Sequence, residues 1–316
     1  MTMYCPGFVL GGLGVSETLL SQKVTGLEPL GGVEPATATQ SLTWFQGLIL
    51  GMVQGLTEFL PISSTAHLKV VPVLLGWGDP GVAFTAIIQL GSIAAVLWYF
   101  WGDLVTLAQG TGEALRTQDF QKQEFRMSLG IVLGTLPILV CGLAIKVWVK
   151  DFDNSPLRSL ISIATVSIVM ALLLGAAERW GSRQRDFTAL TLGDGILMGF
   201  AQALAIMPGV SRSGSTLTAG LWMGLERAAA ARFSFLLGIP AITLAGLVEL
   251  KDLLDTGMSQ ADWIPVGVGL LSAAFFSYAS IAWLLRFLQT QNTWVFVWYR
   301  LAFGVAIGAI ALSGLR

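Results

Sequence analysis

The stretch QGLTEFLPISSTAH, residues 54–67, concentrates polar groups inside a strongly apolar region of the chain. It holds the carboxylate of Glu58, four hydroxyl side chains and His67, the single histidine of the sequence. Pro61 stands in its middle, and a proline in a helix interior removes a backbone hydrogen bond and clashes with the preceding turn. The segment is therefore predicted to be a broken helix that presents its polar groups at the break.

The composition of the whole chain indicates a polytopic membrane protein. Of its 316 residues, 54% are hydrophobic and 12% are charged, whereas an average soluble domain carries roughly 25% charged residues. Uncharged stretches approach the roughly 20 residues that a helix needs to cross a bilayer. They are residues 84–101, 127–145, 159–177 and 263–285, and the shorter runs 233–248 and 301–315 can be completed by their flanks.

Other compositional features exclude several classes of protein. The net charge of −1 gives no electrostatic basis for binding nucleic acid. Cys5 and Cys141 provide neither a disulfide framework nor metal-ligand spacing. Residues 1–40 lack a sustained apolar run and the pattern of a signal peptide, so they are predicted to be a poorly ordered extension with no assigned function.

Short helices on either side of Pro61 are too short to cross a membrane separately. Residues 43–60 precede the break, and residues 64–75 follow it. A re-entrant pair, which enters and leaves on one side, fits better, because broken backbone is tolerated at membrane depth only when it is buried in protein or lines a wet cavity. Three spans are predicted to follow, near 84–101, 126–148 and 158–178, and residues 102–125 are predicted to be a polar connection.

The polar pattern then recurs, which predicts an internal repeat. Gly47-x3-Gly51-x2-Gln54 matches Gly195-x3-Gly199-x2-Gln202, and Pro61 with its serines matches Pro208 with Ser211-Arg212-Ser213. The predicted halves are residues 41–190 and 191–316 of one membrane domain, each a re-entrant pair plus three transmembrane helices. Because three is odd, the second half must be inserted upside down, as in inverted-repeat membrane proteins with a buried polar site.

Basic residues set the expected orientation. By the positive-inside rule, the side that carries more arginine and lysine faces the cytoplasm. That side is predicted to hold Arg116, Lys122, Arg126, Arg179, Arg183, Arg185, Arg227, Arg232 and Arg286. The first break would then face outward.

The second break, residues 208–216, reads PGVSRSGST and suits an anion. Pro208 ends one helix, and Ser211 or Ser213 can cap the next. Free N–H groups at a helix start attract anions, and the planar fork of Arg212 matches phosphate oxygens. Together with the Thr216 hydroxyl, these groups are predicted to hold a phosphate.

The first break supplies reactive groups. A charge at membrane depth costs at least about 2.5–3.5 kcal/mol on insertion scales, so Glu58 is expected to have a function. Ser64 and His67 are three residues apart and can share one helix face, which suggests a nucleophile and its base. Gln54, Ser63 and Thr65 are expected to have supporting roles, with capping an equal alternative for the last two.

Both breaks together predict hydrolysis of a phosphate ester or a diphosphate on a membrane lipid. In one version Ser64 attacks phosphorus, helped by His67, while Glu58 orients it or accepts a proton. In the other, His67 or Glu58 activates water and Ser64 only binds. Two rival functions are a lipid-carrier transporter, which shares the inverted-repeat anatomy, and an intramembrane serine protease, which has little use for Arg212.

These motifs resemble a known family. Gln54-x3-Glu58 with Pro61-x-Ser63-Ser64-Thr65-x-His67, and Pro208-Gly-x-Ser211-Arg212-Ser213-x-x-Thr216, are similar to the two signatures of the bacterial undecaprenyl-diphosphate phosphatases, also called bacitracin-resistance proteins. Phe296-x-x-Tyr299-Arg300 is also similar to that family, and the resemblance runs from about residue 42 to the C-terminus.

The resemblance implies an all-α inverted-repeat fold and hydrolysis of undecaprenyl diphosphate to undecaprenyl phosphate. That reaction recycles the lipid carrier of peptidoglycan synthesis and gives bacitracin resistance. It further implies a multi-pass protein of the bacterial inner membrane with an outward-facing site and dependence on Mg²⁺ or Ca²⁺. Self-association into a homo-oligomer is a separate expectation. Glu58, Ser64, His67, Ser211, Arg212 and Thr216 correspond to functional residues. Where many members have a second glutamate, this chain has Gln54, so no metal ligand is assigned besides a potential role for Glu58, and the cation can arrive bound to the diphosphate.

Overall fold

The computed structural model describes residues 42–78, 80–149, 155–256 and 263–313, and the regular elements in these ranges are helices. The predicted extension, residues 1–40, lies outside them. The α-helices are α1 (Trp44–Phe59), α2 (Ser64–Leu74), α3 (Val82–Tyr99), α4 (Trp101–Thr117), α5 (Gln123–Trp148), α6 (Leu160–Trp180), α7 (Leu192–Ala203), α8 (Arg212–Trp222), α9 (Arg227–Thr256), α10 (Trp263–Thr290) and α11 (Trp294–Leu312).

The prediction of a multi-pass membrane protein is confirmed. Helices α5, α6, α9, α10 and α11 are each long and apolar enough to cross a membrane. The pair of α3 and α4, bent by 63° at one break, makes a sixth candidate span. Helices also occupy the three spans predicted in the first half.

The prediction of a polar connection over residues 102–125 is wrong for most of that range, because α4 occupies residues 101–117. Its sequence contains many polar residues because only one face is covered. Leu107 and Ala114 are buried on that face, and Gly110 lies against the side chain of Glu124. An amphipathic helix with so few buried positions is easily mistaken for a loop.

Two matched pairs of short helices flank the breaks. Thr43 caps α1 and Thr191 caps α7, each through a reciprocal capping box with the residue three positions later. Helices α2 and α8 each contain 11 residues. The residues that precede them, Ser63 and Ser211, have left-handed backbone conformations with φ of 76° and 69°. The chain therefore restarts its helix in the same manner at both breaks.

Glycines seat α1 and α7 against long helices. Gly47 and Gly51 of α1 face backbone carbonyls of α10, at Pro265 and Gly269. In α7, Gly195 and Gly199 face the α5 backbone at Gly130 and Gly134. Small residues allow such close approach between helices in a membrane. In both pairs the contacts advance together along the two chains, so α1 runs parallel to α10 and α7 runs parallel to α5.

Ion pairs fix the relative directions of the long helices. Glu178 at the end of α6 binds Arg227 at the start of α9 and Thr293, the residue before α11. Arg232 of α9 pairs with Asp103 near the start of α4. These contacts place the ends of α3 and α6 beside the starts of α9 and α11. They form a charged layer at these helix ends, which includes Arg227 and Arg232 of the predicted basic side.

Candidate active site

Arg300 joins the two breaks. Its guanidinium, 0% exposed, donates to the carbonyl oxygen of Pro61 at 3.2 Å and to those of Gly209 and Val210 at 2.7 and 3.0 Å. Bends in a helix leave carbonyls without helical partners, and burying them unpaired is costly. A cation on α11 therefore satisfies carbonyls of both breaks and holds them side by side.

Glu58 and Ser64, predicted as site residues, are in direct contact across the first break. Ser64 Oγ donates to Glu58 Oε2 at 2.7 Å. Gln54, one turn before Glu58, donates from Nε2 to the same oxygen at 3.3 Å and to Ser92 Oγ at 3.4 Å. The hydroxyl of Ser64 thus has a carboxylate acceptor whose orientation is supported by a buried amide.

Arg212 approaches the other carboxylate oxygen. Its Nη2 atom lies 3.5 Å from Glu58 Oε1, and its side chain is 9% exposed. Within the described part of the chain, none of its three guanidinium nitrogens has a hydrogen-bond partner. A buried guanidinium without hydrogen bonds loses the hydration it had in water. The arrangement therefore favours an anionic ligand that would accept those bonds.

These groups line one cavity of about 170 Å³. Its polar wall contains Glu58, Ser63, Ser64, Thr65, Ser211 and Arg212. The rest of the lining is mainly apolar and comes from α5, α9 and the segment before the second break: Ile138, Ala205, Met207, Ala241, Ile242 and Ala245, with Gln89 and Gly209. A phosphate group beside an apolar chain matches this mixed lining.

Two of the predicted phosphate ligands have other partners. Ser213 Oγ donates to the carbonyl oxygen of Leu60 at 2.9 Å, which ties α8 to the end of α1. Thr216 Oγ1 lies 2.8 Å from the carbonyl oxygen of Arg212 and 2.5 Å from Ser234 Oγ. Neither residue belongs to the cavity wall. Ser211, which does line the cavity, uses its Oγ to accept from the backbone N–H of Gly214 at 3.2 Å.

His67 forms its hydrogen bonds with groups other than Ser64. Its Nδ1 lies 2.7 Å from the carbonyl oxygen of Ser63, and its Nε2 lies 2.6 Å from the hydroxyl of Tyr299. The ring is buried between α2 and α11 and does not belong to the cavity wall. The periodicity of α2 places both residues on one side of the helix, but contacts from α11 determine where the ring points.

The chain is similar to known proteins along most of its length. A family model described as "Bacitracin resistance protein BacA" matches residues 47–306. This chain belongs to the bacitracin resistance protein family. A protein named undecaprenyl-diphosphatase from Nostoc sp. (strain PCC 7120 / SAG 25.82 / UTEX 2576) is 66% identical over 278 residues, covering 88% of this chain and 87% of the relative. Another of that name from Synechococcus sp. (strain ATCC 27144 / PCC 6301 / SAUG 1402/1) is 61% identical over 292 residues, covering 92% and 98%.

The donor set of the cavity does not fit a resident divalent cation. Within the described residues, no group of three or more His, Cys, Asp or Glu side chains could hold a metal. Glu58 is the one carboxylate in the cavity wall, and its oxygens already face Ser64, Gln54 and Arg212. Mg²⁺ and Ca²⁺ prefer several oxygen ligands, which a single engaged carboxylate does not provide.

Three residues at or beside the site had no predicted role. Arg300 bridges the breaks, Tyr299 bonds His67, and Gln89 lines the cavity. A charged residue within the apolar final span was the available signal for Arg300, because such a charge is costly without a partner. Tyr299 could not be linked to His67 from sequence, because 232 positions separate them.

Proposed function

We propose that this chain is an integral membrane undecaprenyl-diphosphatase that converts undecaprenyl diphosphate and water to undecaprenyl phosphate and inorganic phosphate. Its family membership and the name that its relatives share support the activity. The structural observation that carries it is the hydroxyl–carboxylate pair of Ser64 and Glu58 beside the buried, incompletely bonded guanidinium of Arg212. The product is the lipid carrier of peptidoglycan synthesis, so its recycling accounts for bacitracin resistance.

The proposed reaction is a displacement in two steps. Ser64 Oγ attacks the terminal phosphorus while Glu58 takes the hydroxyl proton, and the bridging P–O bond breaks so that its electrons leave with undecaprenyl phosphate. Arg212 interacts with the charge that develops on the phosphoryl oxygens. Water then cleaves the phosphoserine: its hydroxyl group adds to phosphorus, and its other hydrogen returns to Ser64 Oγ as the P–Oγ bond breaks. Inorganic phosphate leaves, and Glu58 releases to solvent the proton that it took. A hydroxyl 2.7 Å from a carboxylate has the geometry that a general base requires.

The alternative chemistry keeps Ser64 as a binding group and has Glu58 activate water. Rapid acid quenching of a single turnover with substrate labelled in its terminal phosphate separates the two. A labelled phosphoserine at residue 64 supports covalent catalysis, whereas substantial turnover by Ser64→Ala contradicts it. The hydrogen bond between Ser64 and Glu58 favours the covalent route.

A divalent cation, Mg²⁺ or Ca²⁺, would enter this site as a complex with the diphosphate. That proposal follows from the donor set. Position 54 carries an amide, whose N–H donates to Glu58, and therefore supplies no second carboxylate for a metal. A diphosphate carries enough oxygens to bind such a cation on its own. Chelation of the free cation is expected to lower the rate, and adding the preformed substrate complex should restore it.

The proposed architecture is an inverted repeat with two re-entrant pairs, α1–α2 and α7–α8, each followed by three spans. Three observations support it: the matching capping boxes, the matching left-handed serines, and the exchange of partners in which α1 packs on α10 and α7 packs on α5. We place the protein in the bacterial inner membrane, with the first break facing outward and the charged layer facing the cytoplasm.

Transport of a lipid carrier is the second candidate function, because broken helices that meet inside an inverted repeat are transporter anatomy. The two candidates differ in product. The purified chain, supplied with undecaprenyl diphosphate in detergent, is expected to release inorganic phosphate, with Glu58→Gln as the inactive control. Lipid movement in liposomes without phosphate release would instead support the transporter.

A further inference from the structure

His67 is held on three sides within the interface between α2 and α11. Nδ1 lies 2.7 Å from the carbonyl oxygen of Ser63, and Nε2 lies 2.6 Å from the hydroxyl of Tyr299. The imidazole also stacks on Phe303, with ring centroids 4.0 Å apart and planes 2° from parallel. The ring therefore has a single defined orientation, and both nitrogens are used within the protein.

Hydrogen-bond chemistry fixes the tautomer of this ring. A carbonyl oxygen can only accept, so the nitrogen beside Ser63 must carry a hydrogen. In the neutral ring the lone pair is then on Nε2, where the hydroxyl of Tyr299 can donate to it. A general base needs a free lone pair within hydrogen-bond reach of the proton that it removes. His67 offers none to Ser64, whose hydroxyl instead bonds Glu58.

Ser63 has a backbone conformation that needs outside support. Its φ is 76°, and sparsely populated conformations of this kind are costly and persist only where the surroundings enforce them. Ser63 makes no side-chain capping bond. Its carbonyl oxygen instead receives the His67 ring N–H and the backbone N–H of His67, the latter at 3.3 Å. The peptide that leads into Ser64 is thus oriented through the imidazole.

The matching serine of the second break is supported differently. Ser211, with φ of 69°, accepts from the backbone N–H of Gly214 through its own Oγ. Its carbonyl oxygen receives the backbone N–H of Ser215 at 2.9 Å. A side-chain cap thus supports Ser211, whereas an imidazole supports Ser63. The imidazole is therefore the element particular to the break that carries Ser64.

We propose that Tyr299 and His67 are positioning residues that act in series. Tyr299 orients the imidazole, the Nδ1–H of His67 holds the Ser63 carbonyl, and that carbonyl directs Ser64 Oγ toward phosphorus. The inference rests on the proposed phosphatase function and changes the role of His67 from the base predicted from sequence to a support for Ser64. The proton of Ser64 goes to Glu58.

Substitutions that retain one nitrogen at a time test this role. The side-chain N–H of asparagine in His67→Asn takes the place of Nδ1–H, whereas glutamine in His67→Gln extends toward the position of Nε2. We expect His67→Asn to retain kcat within about tenfold of wild type and His67→Gln to lose about 100-fold, the effect of a displacement near 1 Å. Tyr299→Phe should lower kcat about tenfold with little change in KM, and Tyr278→Phe on α10 is the matched control.

The pH profile separates positioning from base catalysis. If His67 only positions Ser64, the fall of kcat at low pH, here called the acidic limb, persists in His67→Asn because the base is another group. The proposal is overturned if His67→Asn is as inactive as His67→Ala and that limb disappears, because loss of a general base removes about 10²–10⁴-fold of rate.

The tautomer of His67 can also be measured by NMR spectroscopy, which does not depend on activity. Because the chain has one histidine, a preparation labelled with ¹⁵N-histidine and free of a histidine tag gives one imidazole spectrum. We expect the Nδ1–H tautomer in the wild type and a shifted Nε2 resonance in Tyr299→Phe. The opposite tautomer overturns the proposal, whereas the expected tautomer without phosphate release by the wild type would contradict the phosphatase function alone.

Discussion

The guanidinium of Arg212 packs against Gly238 of α9. It occupies the space where any other residue at position 238 would place its Cβ atom. The nearest atom to such a Cβ would be Nη1, at an overlapping distance. Arg212 is the cation of the candidate site, and its buried side chain has little room to move. The absence of a side chain at Gly238 therefore determines where the positive charge stands relative to Glu58 and Ser64.

Gly238→Ala is expected to lower kcat/KM about 100-fold, the scale seen when one electrostatic contact to a transition state is lost. The methyl group would displace the guanidinium from the cavity without changing any charge. Phosphate release from undecaprenyl diphosphate measures the effect. Gly142→Ala on α5 is the matched control, because nothing lies within 4 Å of a Cβ there. Equal activity of the two variants would contradict the assigned position of Arg212.

Glu58→Gln is expected to lower kcat about 10²–10⁴-fold, because an amide cannot take the proton of Ser64. The substitution preserves the size of the side chain and leaves an oxygen that can accept the Ser64 hydrogen bond, so the fold should persist. Single-turnover rates measure the chemical step directly. Glu113→Gln, whose carboxylate pairs with Lys122 on the surface of α4, is the control for loss of a negative charge. Retention of wild-type kcat by Glu58→Gln would exclude the carboxylate as the base.

Arg212→Lys separates charge from shape. The lysine retains one positive charge but lacks the planar fork that can bind two phosphoryl oxygens together. We expect Arg212→Lys to lose about 10–100-fold in kcat/KM, and Arg212→Ala about 10²–10³-fold. Arg116→Lys, at the exposed end of α4, is the control. Identical kinetics for Arg212→Lys and the wild type would indicate that the fork makes no bidentate contact.

Composition was enough to predict a membrane protein, and the break at Pro61 was enough to predict that Glu58 and Ser64 lie close together. The hydrogen-bond partners of most other side chains could not be predicted. Glu58 and Ser64 were predicted to be neighbours because Pro61 breaks the helix between them, and the structure shows a hydrogen bond between their side chains. Ser213 was expected to bind phosphate because its position at a helix start is suited to anions. Its hydroxyl instead bonds the carbonyl of Leu60, more than 150 positions away, and a contact of that kind depends on how the two halves pack.

Helix α4 and His67 show further limits of prediction from sequence. Local polarity made residues 102–125 resemble a connection, although α4 forms over most of that range and buries Leu107 and Ala114. Spacing within α2 associated His67 with Ser64, whereas Tyr299 and Phe303 on α11 hold the ring elsewhere. For Ser213 and His67, the contacts come from parts of the chain far away in sequence, whereas α4 resembled a connection because few of its positions are buried.

Arg300→Met is expected to destabilise the whole site, because it leaves the carbonyls of Pro61, Gly209 and Val210 without the guanidinium that now bonds them. Each buried carbonyl left unpaired costs roughly 1–3 kcal/mol. Thermal unfolding in detergent should therefore occur at a clearly lower temperature than in the wild type, and phosphate release should fall in parallel.

Arg286→Met is the matched control, because it removes an exposed arginine from α10 and leaves the breaks untouched. Arg300→Lys makes the test more specific. Its single ammonium group can reach one break but cannot span both as the guanidinium does, so we expect intermediate stability with activity still close to that of Arg300→Met. A fully active Arg300→Met protein with unchanged unfolding temperature would show that the two breaks hold together without Arg300, through contacts such as the bond from Ser213 to Leu60.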